Sequence, residues 1–238
     1  KLSTKNAVKK ISKWADIIMP RDNVSYDYLI KSGLVDMSRI SQYPDFTSLV
    51  KGECPSKYGH LKDYVCIIPN MQMIRKGVIS YDNYIRYLNY IYLICKKSGH
   101  KVYLLNHEGK KDEELAYQCV DYIGENIEIV TGLDAIETKG LISTAYLVIS
   151  SRFHGVASAL NSCVPCFATS WSHKYKELFK DYGMYDNMLP LDDYEKSSFM
   201  MNQYLNEEIN KQVRKQLSEI CPKLSEASID MWNKIWTI

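Results

Sequence analysis

Short apolar runs alternate with amphipathic stretches along most of the chain. Residues 64–68, 102–105, 127–130, 146–150 and 166–169 are brief, rich in β-branched residues and almost free of polar breaks. Runs of this kind suit strands covered on both faces. Between them, apolar residues recur at helical spacing over about 81–97, 111–123, 133–141, 154–161 and 173–182. The clearest is 81–97. Ser80 is placed to cap it, Tyr84, Tyr87, Leu88, Ile91, Ile94 and Cys95 share one face, and Lys96-Lys97-Ser98-Gly99 closes it. The tyrosine stripe reads as helix packing. Strands alternating with helices at this spacing predict an α/β fold with a parallel, Rossmann-like sheet.

The two ends read differently. Residues 4–15 predict a Lys-rich amphipathic helix, with Ala7, Val8, Ile11 and Trp14 (or Ala15) on one face. Its lysines read as a solvated outer face, with contact to anionic lipid as the alternative. Residues 16–19 predict a short strand. A helix over about 24–32 follows, with Asp22 or Asn23 as its cap and Gly33 at its end. The Gly, Pro and Lys-rich stretch 51–62 has no periodicity and predicts a linker. The tail is expected to be helical over about 195–220 and 223–236, interrupted by Pro222. The expected organisation is residues 1–50 as the end of an N-terminal α/β lobe, 63–220 as a C-terminal lobe, and a last helix, 223–238. Ile229, Trp232, Ile235 and Trp236 give that helix an apolar face.

Composition narrows the classes of function. The 238 residues are 46% hydrophobic and 24% charged, enough for one large domain or two small ones. With 30 basic and 28 acidic residues, the net charge of +2 supplies no field for nucleic acid. No apolar run reaches the roughly 20 residues of a membrane-spanning helix, and no signal-peptide pattern opens the chain. A first residue of Lys rather than Met leads us to expect an upstream piece. Seven scattered cysteines suit a reducing cytoplasm, the expected location, with the inner face of the membrane as a variant of it. Cys163-Val164-Pro165-Cys166 follows a helix and enters a strand, the reverse of a thioredoxin-type pair. It has no second pair for zinc, so both cysteines read as structural. Gly-rich phosphate loops, nucleophile elbows and convincing metal-ligand spacings are absent from the sequence.

The candidate chemistry gathers after the run 146–150. Ser150 and Ser151 lead into Arg152, Phe153 and His154, and a small-residue helix follows. In open α/β sheets ligands bind beyond the carboxyl ends of strands, where helix N–H groups attract anions. Arg152 adds a planar fork for carboxylate or phosphate, and His154 adds a side chain that titrates near neutrality. Other predicted strand ends carry Asn70, the segment Asn106-His107-Glu108-Gly109 with Asp112 beyond it, and the segment Ser170-Trp171-Ser172-His173-Lys174. Each of these also reads as an ordinary surface turn.

Ser-Arg-Phe-His, the small-residue helix, Cys163-Val164-Pro165-Cys166-Phe167-Ala168-Thr169-Ser170 and Lys174 together resemble the C-terminal signature of the polysaccharide pyruvyl transferases. Arg21, Asp22 and Ser25 are similar to that family's Arg-Asp-x-x-Ser turn, and Pro44-Asp45-Phe46 to its Pro-Asp segment. The resemblance covers roughly residues 10–185. It implies a GT-B-like, two-lobed fold, with the N-terminal lobe present here only as a remnant, so half of the cleft is expected outside this sequence. It also implies transfer of pyruvate from phosphoenolpyruvate to a sugar as a ketal, with no other cofactor and no metal.

The partners it implies are phosphoenolpyruvate and a sugar or lipid-linked oligosaccharide acceptor, with peripheral membrane contact left open. Carried over residue by residue, it gives His154, Arg152 and His107 as catalytic. Arg21, Ser150, Ser151, Phe153, Lys174, Asn70 and Asp112 become substrate-binding. The chain departs from the pattern at Ala145-Tyr146, where the family has an acid, and at Cys163, where it has Gly. A GT-B nucleotide-sugar glycosyltransferase and a non-catalytic binding lobe are the rival readings.

Overall fold

The computed structural model describes residues 2–170 and 172–237. They form two compact units, Val50–Cys221 on the one hand and the residues up to Leu49 with those from Pro222 on the other.

The larger unit is built on strand β1, Tyr64–Ile68, in which every residue is buried. It pairs in parallel with β2, Lys101–Leu105, on one side and with β4, Leu147–Ser150, on the other. Strand β3, Ile129–Val130, and strand β5, Cys166–Ala168, complete a parallel sheet in the order β3-β2-β1-β4-β5. The chain thus leaves β1 for β2 on one side and later returns to its other side as β4. That reversal is the topological switch point at which open α/β sheets bind ligands.

A one-turn helix, α3, Gln72–Arg75, follows β1. The period of two along each strand sorts the side chains. Val65, Ile67, Leu104, Leu147 and Ile149 pack with Tyr84, Tyr87, Leu88 and Ile91 of helix α4, Tyr81–Lys97, and with Leu115 of helix α5, Gly109–Ile123, in one core. On the opposite face Gly155 of helix α7, Phe153–Asn161, lies against Ile68 and Ser150. A Cβ there would stand 2.5 Å from Ser150 Oγ. Only glycine lets α7 sit this close to the ends of β1 and β4. Gly140, in helix α6, Ala135–Ser143, meets the 51–62 stretch in the same way. A Cβ on Gly140 would stand 2.0 Å from the Glu53 carbonyl carbon, and Glu53 N–H donates to Ile136 O at 3.1 Å. The stretch expected as a linker is packed backbone to backbone on a helix.

The smaller unit holds helix α1, Leu2–Trp14, and helix α2, Asn23–Ser32, around Val8, Leu29, Val35 and Ile40. The strand expected over 16–19 is a single parallel bridge between Ile18 and Ile40. Pro20, which has no N–H, ends the pairing after one residue. From Pro222 onward the last helix lies in this unit. Ser228 Oγ and Ser48 Oγ are 2.8 Å apart, and Trp232 stands edge-on to Phe46.

The helical tail breaks elsewhere than expected. Helix α8, His173–Asp181, is followed by α9, Tyr194–Leu205, and by α10, Glu207–Ile235, which runs through Pro222 without interruption. The break falls at Asn206, whose extended backbone ends α9 and whose Oδ1 accepts from Glu208 N–H (3.1 Å) and Ile209 N–H (3.2 Å). Proline inside a helix costs about 3 kcal/mol. Burial of Leu217, Ser228 and Met231 on either side of it opposes that cost. No described helix is long and apolar enough to cross a membrane.

Candidate active site

The turn after β4 is tied down from four directions. Ser150 Oγ accepts from Arg152 N–H (3.0 Å) and donates to Arg152 O (2.9 Å). Ser151 Oγ lies 2.5 Å from both the Tyr84 hydroxyl and Thr169 Oγ1. Ser151 O accepts from Asn70 Nδ2 (2.8 Å) and from the Tyr175 hydroxyl (2.9 Å). Ser150, Ser151 and Asn70 are buried. Where the resemblance implies contacts to substrate, the structure turns the side chains of these three residues into the protein, and they build the turn instead. Tyr84, which reads in the sequence as helix packing, completes the network with Thr169 and Tyr175, to which the sequence assigns no role.

This rigid turn presents Arg152. Its Nε and Nη2 donate to Asp112 Oδ2 at 2.7 and 2.6 Å, and its Nη1 is paired with Glu108. Asp112 is buried, with its side chain 1% exposed, and its Oδ1 accepts from Met71 N–H at 2.9 Å. Asp112 is therefore the seat of the guanidinium rather than a contact for an acceptor hydroxyl. Burial pushes its carboxyl above the usual range, against the pull of the Met71 N–H and of Arg152.

His154 is exposed, with its ring edge-on to Phe153 at 5.5 Å between centroids. Phe153 is buried and stacks edge-on to Tyr175. The Lys174 ammonium lies 5.1 Å from the Phe153 ring centroid, a cation–π distance. His107, at the end of β2, is half-buried, and its pKa is lowered to about 4. Burial is the largest cause, followed by the charges of Arg152 and His154. Among the described residues, His107 Nδ1 is buried without a hydrogen-bond partner, as is the neighbouring Asn106 Oδ1.

A depressed histidine pKa gives folding a pH slope of known sign. Above the ordinary value of about 6.5 both folded and unfolded chains hold His107 neutral. Below it the unfolded chain gains a proton that the folded chain refuses until about pH 4. Stability is therefore expected to fall as pH drops from about 6.5 to 4. The slope should be shallower in His107→Gln. Urea unfolding across that range checks both.

Arg21 lies in the smaller unit, where its Nη1 meets Asp45 Oδ2 at 2.5 Å. Burial raises the Asp45 pKa, but hydrogen bonds from Thr47 and the charge of Arg21 hold it below the usual carboxylate range. Asp22 and Ser25, the rest of the Arg-Asp-x-x-Ser match, cap α2. Asp22 Oδ1 accepts from Ser25 N–H at 2.7 Å.

Among the described residues no group of three His, Cys, Asp or Glu side chains is placed to hold a metal ion. Cys166 is buried, and Cys163 Sγ stands 3.6 Å from Cys221 Sγ. Cys163 has φ of +56°, the left-handed region that favours glycine, which accounts for glycine at this position in the pattern it resembles.

The larger unit is thus a Rossmann-like α/β unit whose parallel sheet carries a fixed guanidinium and two histidines beyond the carboxyl ends of its strands, where ligands bind in open α/β sheets. The sequence model of the family described as polysaccharide pyruvyl transferase matches residues 1–173, and the chain belongs to that family. Among curated proteins no sequence match is found. Solved structures of GT-B type share the fold. TarM aligns at 15% identity and a TM-score of 0.62, over 100% of this chain and 46% of its own. The accessory secretory protein 1, 2 and 3 structure from Streptococcus pneumoniae aligns at 11% identity and 0.65, over 98% and 45%. The trehalose-6-phosphate synthase OtsA aligns at 9% identity and 0.61, over 98% and 62%. The chain spans between 45% and 62% of the length of these structures.

Proposed function

We propose that this chain carries the donor half of a reaction that moves pyruvate from phosphoenolpyruvate to a sugar of a cell-surface polysaccharide or its lipid-linked precursor, forming a ketal. The observation that supports it best is Arg152, seated on a buried carboxylate at the switch point with His154 exposed beside it. Phosphoenolpyruvate is anionic at both ends, and its C2 becomes electrophilic once C3 is protonated. Arg152, the first N–H groups of α7 and the Lys174 charge hold the anionic groups. His154 delivers the proton to C3 and takes one from an attacking hydroxyl. Two hydroxyl oxygens bond to C2 as the phosphate ester C–O bond breaks. Of the two hydroxyl protons, one balances the proton gained at C3 and the other leaves on hydrogen phosphate. Neutral His107, half-buried at the end of β2, offers an imidazole nitrogen to an acceptor hydroxyl.

The reaction calls on no further cofactor, and the lipid-linked form of the acceptor would place the enzyme at the inner face of the membrane. The nucleotide-sugar alternative wants a carboxylate for ribose hydroxyls, and Asp112, the buried acid beside Arg152, is already engaged by the guanidinium and by the Met71 N–H.

The test is phosphate release from phosphoenolpyruvate with a panel of galactose- and mannose-containing acceptors, alongside nucleotide sugars with the same acceptors. Acceptor-dependent phosphate release is the expected result. Turnover of a nucleotide sugar with none of phosphoenolpyruvate would overturn the proposal.

A further inference from the structure

Two carboxylates share one guanidinium at this site, and they are not equivalent. Glu108 and Asp112 are four residues apart at the start of α5, a spacing that puts both side chains on one side of the first turn. Asp112 is buried and holds Nε and Nη2 of Arg152 while its other oxygen is fixed by the Met71 N–H. Glu108 is 69% exposed and holds Nη1. It occupies the cap position of α5, yet among the described residues its carboxylate makes no capping bond to that helix. Its described polar contact is the one to Arg152.

From this we infer that Glu108 is a tethered stand-in for the ligand's anionic group. It occupies the outward limb of Arg152 when the site is empty and must swing away when an anion binds, while Asp112 keeps the guanidinium in place. The identity of the anion as phosphoenolpyruvate rests on the reading above; the contact and the competition do not.

The geometry makes the exchange easy in one direction and hard in the other. An ion pair whose carboxylate is solvent-exposed adds little, so Glu108 is readily displaced. Asp112 is not, because leaving the buried partner unpaired is strongly unfavourable. A ligand oxygen that replaces Glu108 meets a fork already oriented, with the first turn of α7 and the Phe153–Lys174 pair next to it. Glu108 thereby sets a threshold. Only an anion that binds Nη1 better than a tethered carboxylate does will open the site, which disfavours weakly held monoanions.

The test is titration calorimetry at fixed ionic strength with phosphoenolpyruvate and with inorganic phosphate. The proteins are the wild type, Glu108→Gln and Glu114→Gln. Glu114 is an exposed acid on the same helix, and its removal changes the net charge by the same amount. Glu108→Gln is expected to bind both ligands about twofold to fivefold more tightly, with Glu114→Gln unchanged. Tighter phosphate binding with no phosphoenolpyruvate binding in any protein would uphold the competition and remove the donor reading. Equal gains in the two variants would reduce the effect to long-range charge and overturn the inference, leaving the donor reading intact if the wild type binds phosphoenolpyruvate. Weaker binding by Glu108→Gln, or no binding of either ligand by any protein, would overturn it too.

Discussion

Replacing His154 by alanine is expected to lower turnover by about 10²–10⁴-fold, the usual worth of a positioned proton-transfer group. The melting temperature should stay where it is. His154 is exposed on the first turn of α7, and its ring meets Phe153 only edge-on. Its removal opens no cavity. The helix start that it shares with Phe153 is held by Ser150 and by the Ser151 network beneath, neither of which uses the imidazole. The affinity for phosphoenolpyruvate should also change little, because Arg152 and its seat are untouched. Kinetics and calorimetry on one preparation separate the terms. Lost turnover with retained donor binding supports the proton-transfer role, wild-type turnover removes it, and lost binding moves His154 into the anion clamp.

Much of this site is readable in the sequence because strand ends and helix starts leave local marks. The apolar runs of β1, β2, β4 and β5 are short and unbroken, and each of the four leads into a segment with polar, chemically active side chains. Placing His107, Arg152 and His154 at such ends needed only that alternation. What the sequence does not carry is strand order. The reversal at β1 decides which ends are neighbours, and it is a fact about crossovers between segments far apart in the chain.

The same limit explains the residues that changed role. Ser150 and Ser151 are polar and sit at a strand end, which suits substrate contact. Their hydroxyls are claimed by Arg152 backbone, Tyr84 and Thr169, and two of those three are remote in sequence. In the sequence Glu108 and Asp112 both stand beyond the run 102–105, with the helix expected from 111, so nothing there marks them as a pair. Nor does anything there mark their shared target on α7. Pro222 misled for an opposite reason: local propensity asks for a break that packing on both sides overrides, and the break falls instead at Asn206, where a side chain is available to cap.

The largest loss of stability is expected from Asp112→Ala. The substitution leaves the Arg152 guanidinium, whose side chain is only 17% exposed, facing a cavity, and it strips the Met71 N–H of its acceptor. Breaking a buried ion pair from one side costs about 3–5 kcal/mol, more than the pair is worth as a whole, because an uncompensated charge stays behind. The double variant Asp112→Ala/Arg152→Ala should therefore recover part of that loss. Glu108→Ala, which removes a carboxylate from the same guanidinium at its exposed limb, should cost no more than about 1 kcal/mol. Urea unfolding of the three variants at neutral pH measures this contrast. A large deficit for Asp112→Ala, relieved in the double variant and absent in Glu108→Ala, is the pattern that a seated and gated arginine requires. Comparable small losses for both acids would mean that Arg152 is held by its α7 backbone and the Ser150–Ser151 turn alone. Asp112 would then lose its part in orienting the fork, and the anion site would need no buried carboxylate behind it.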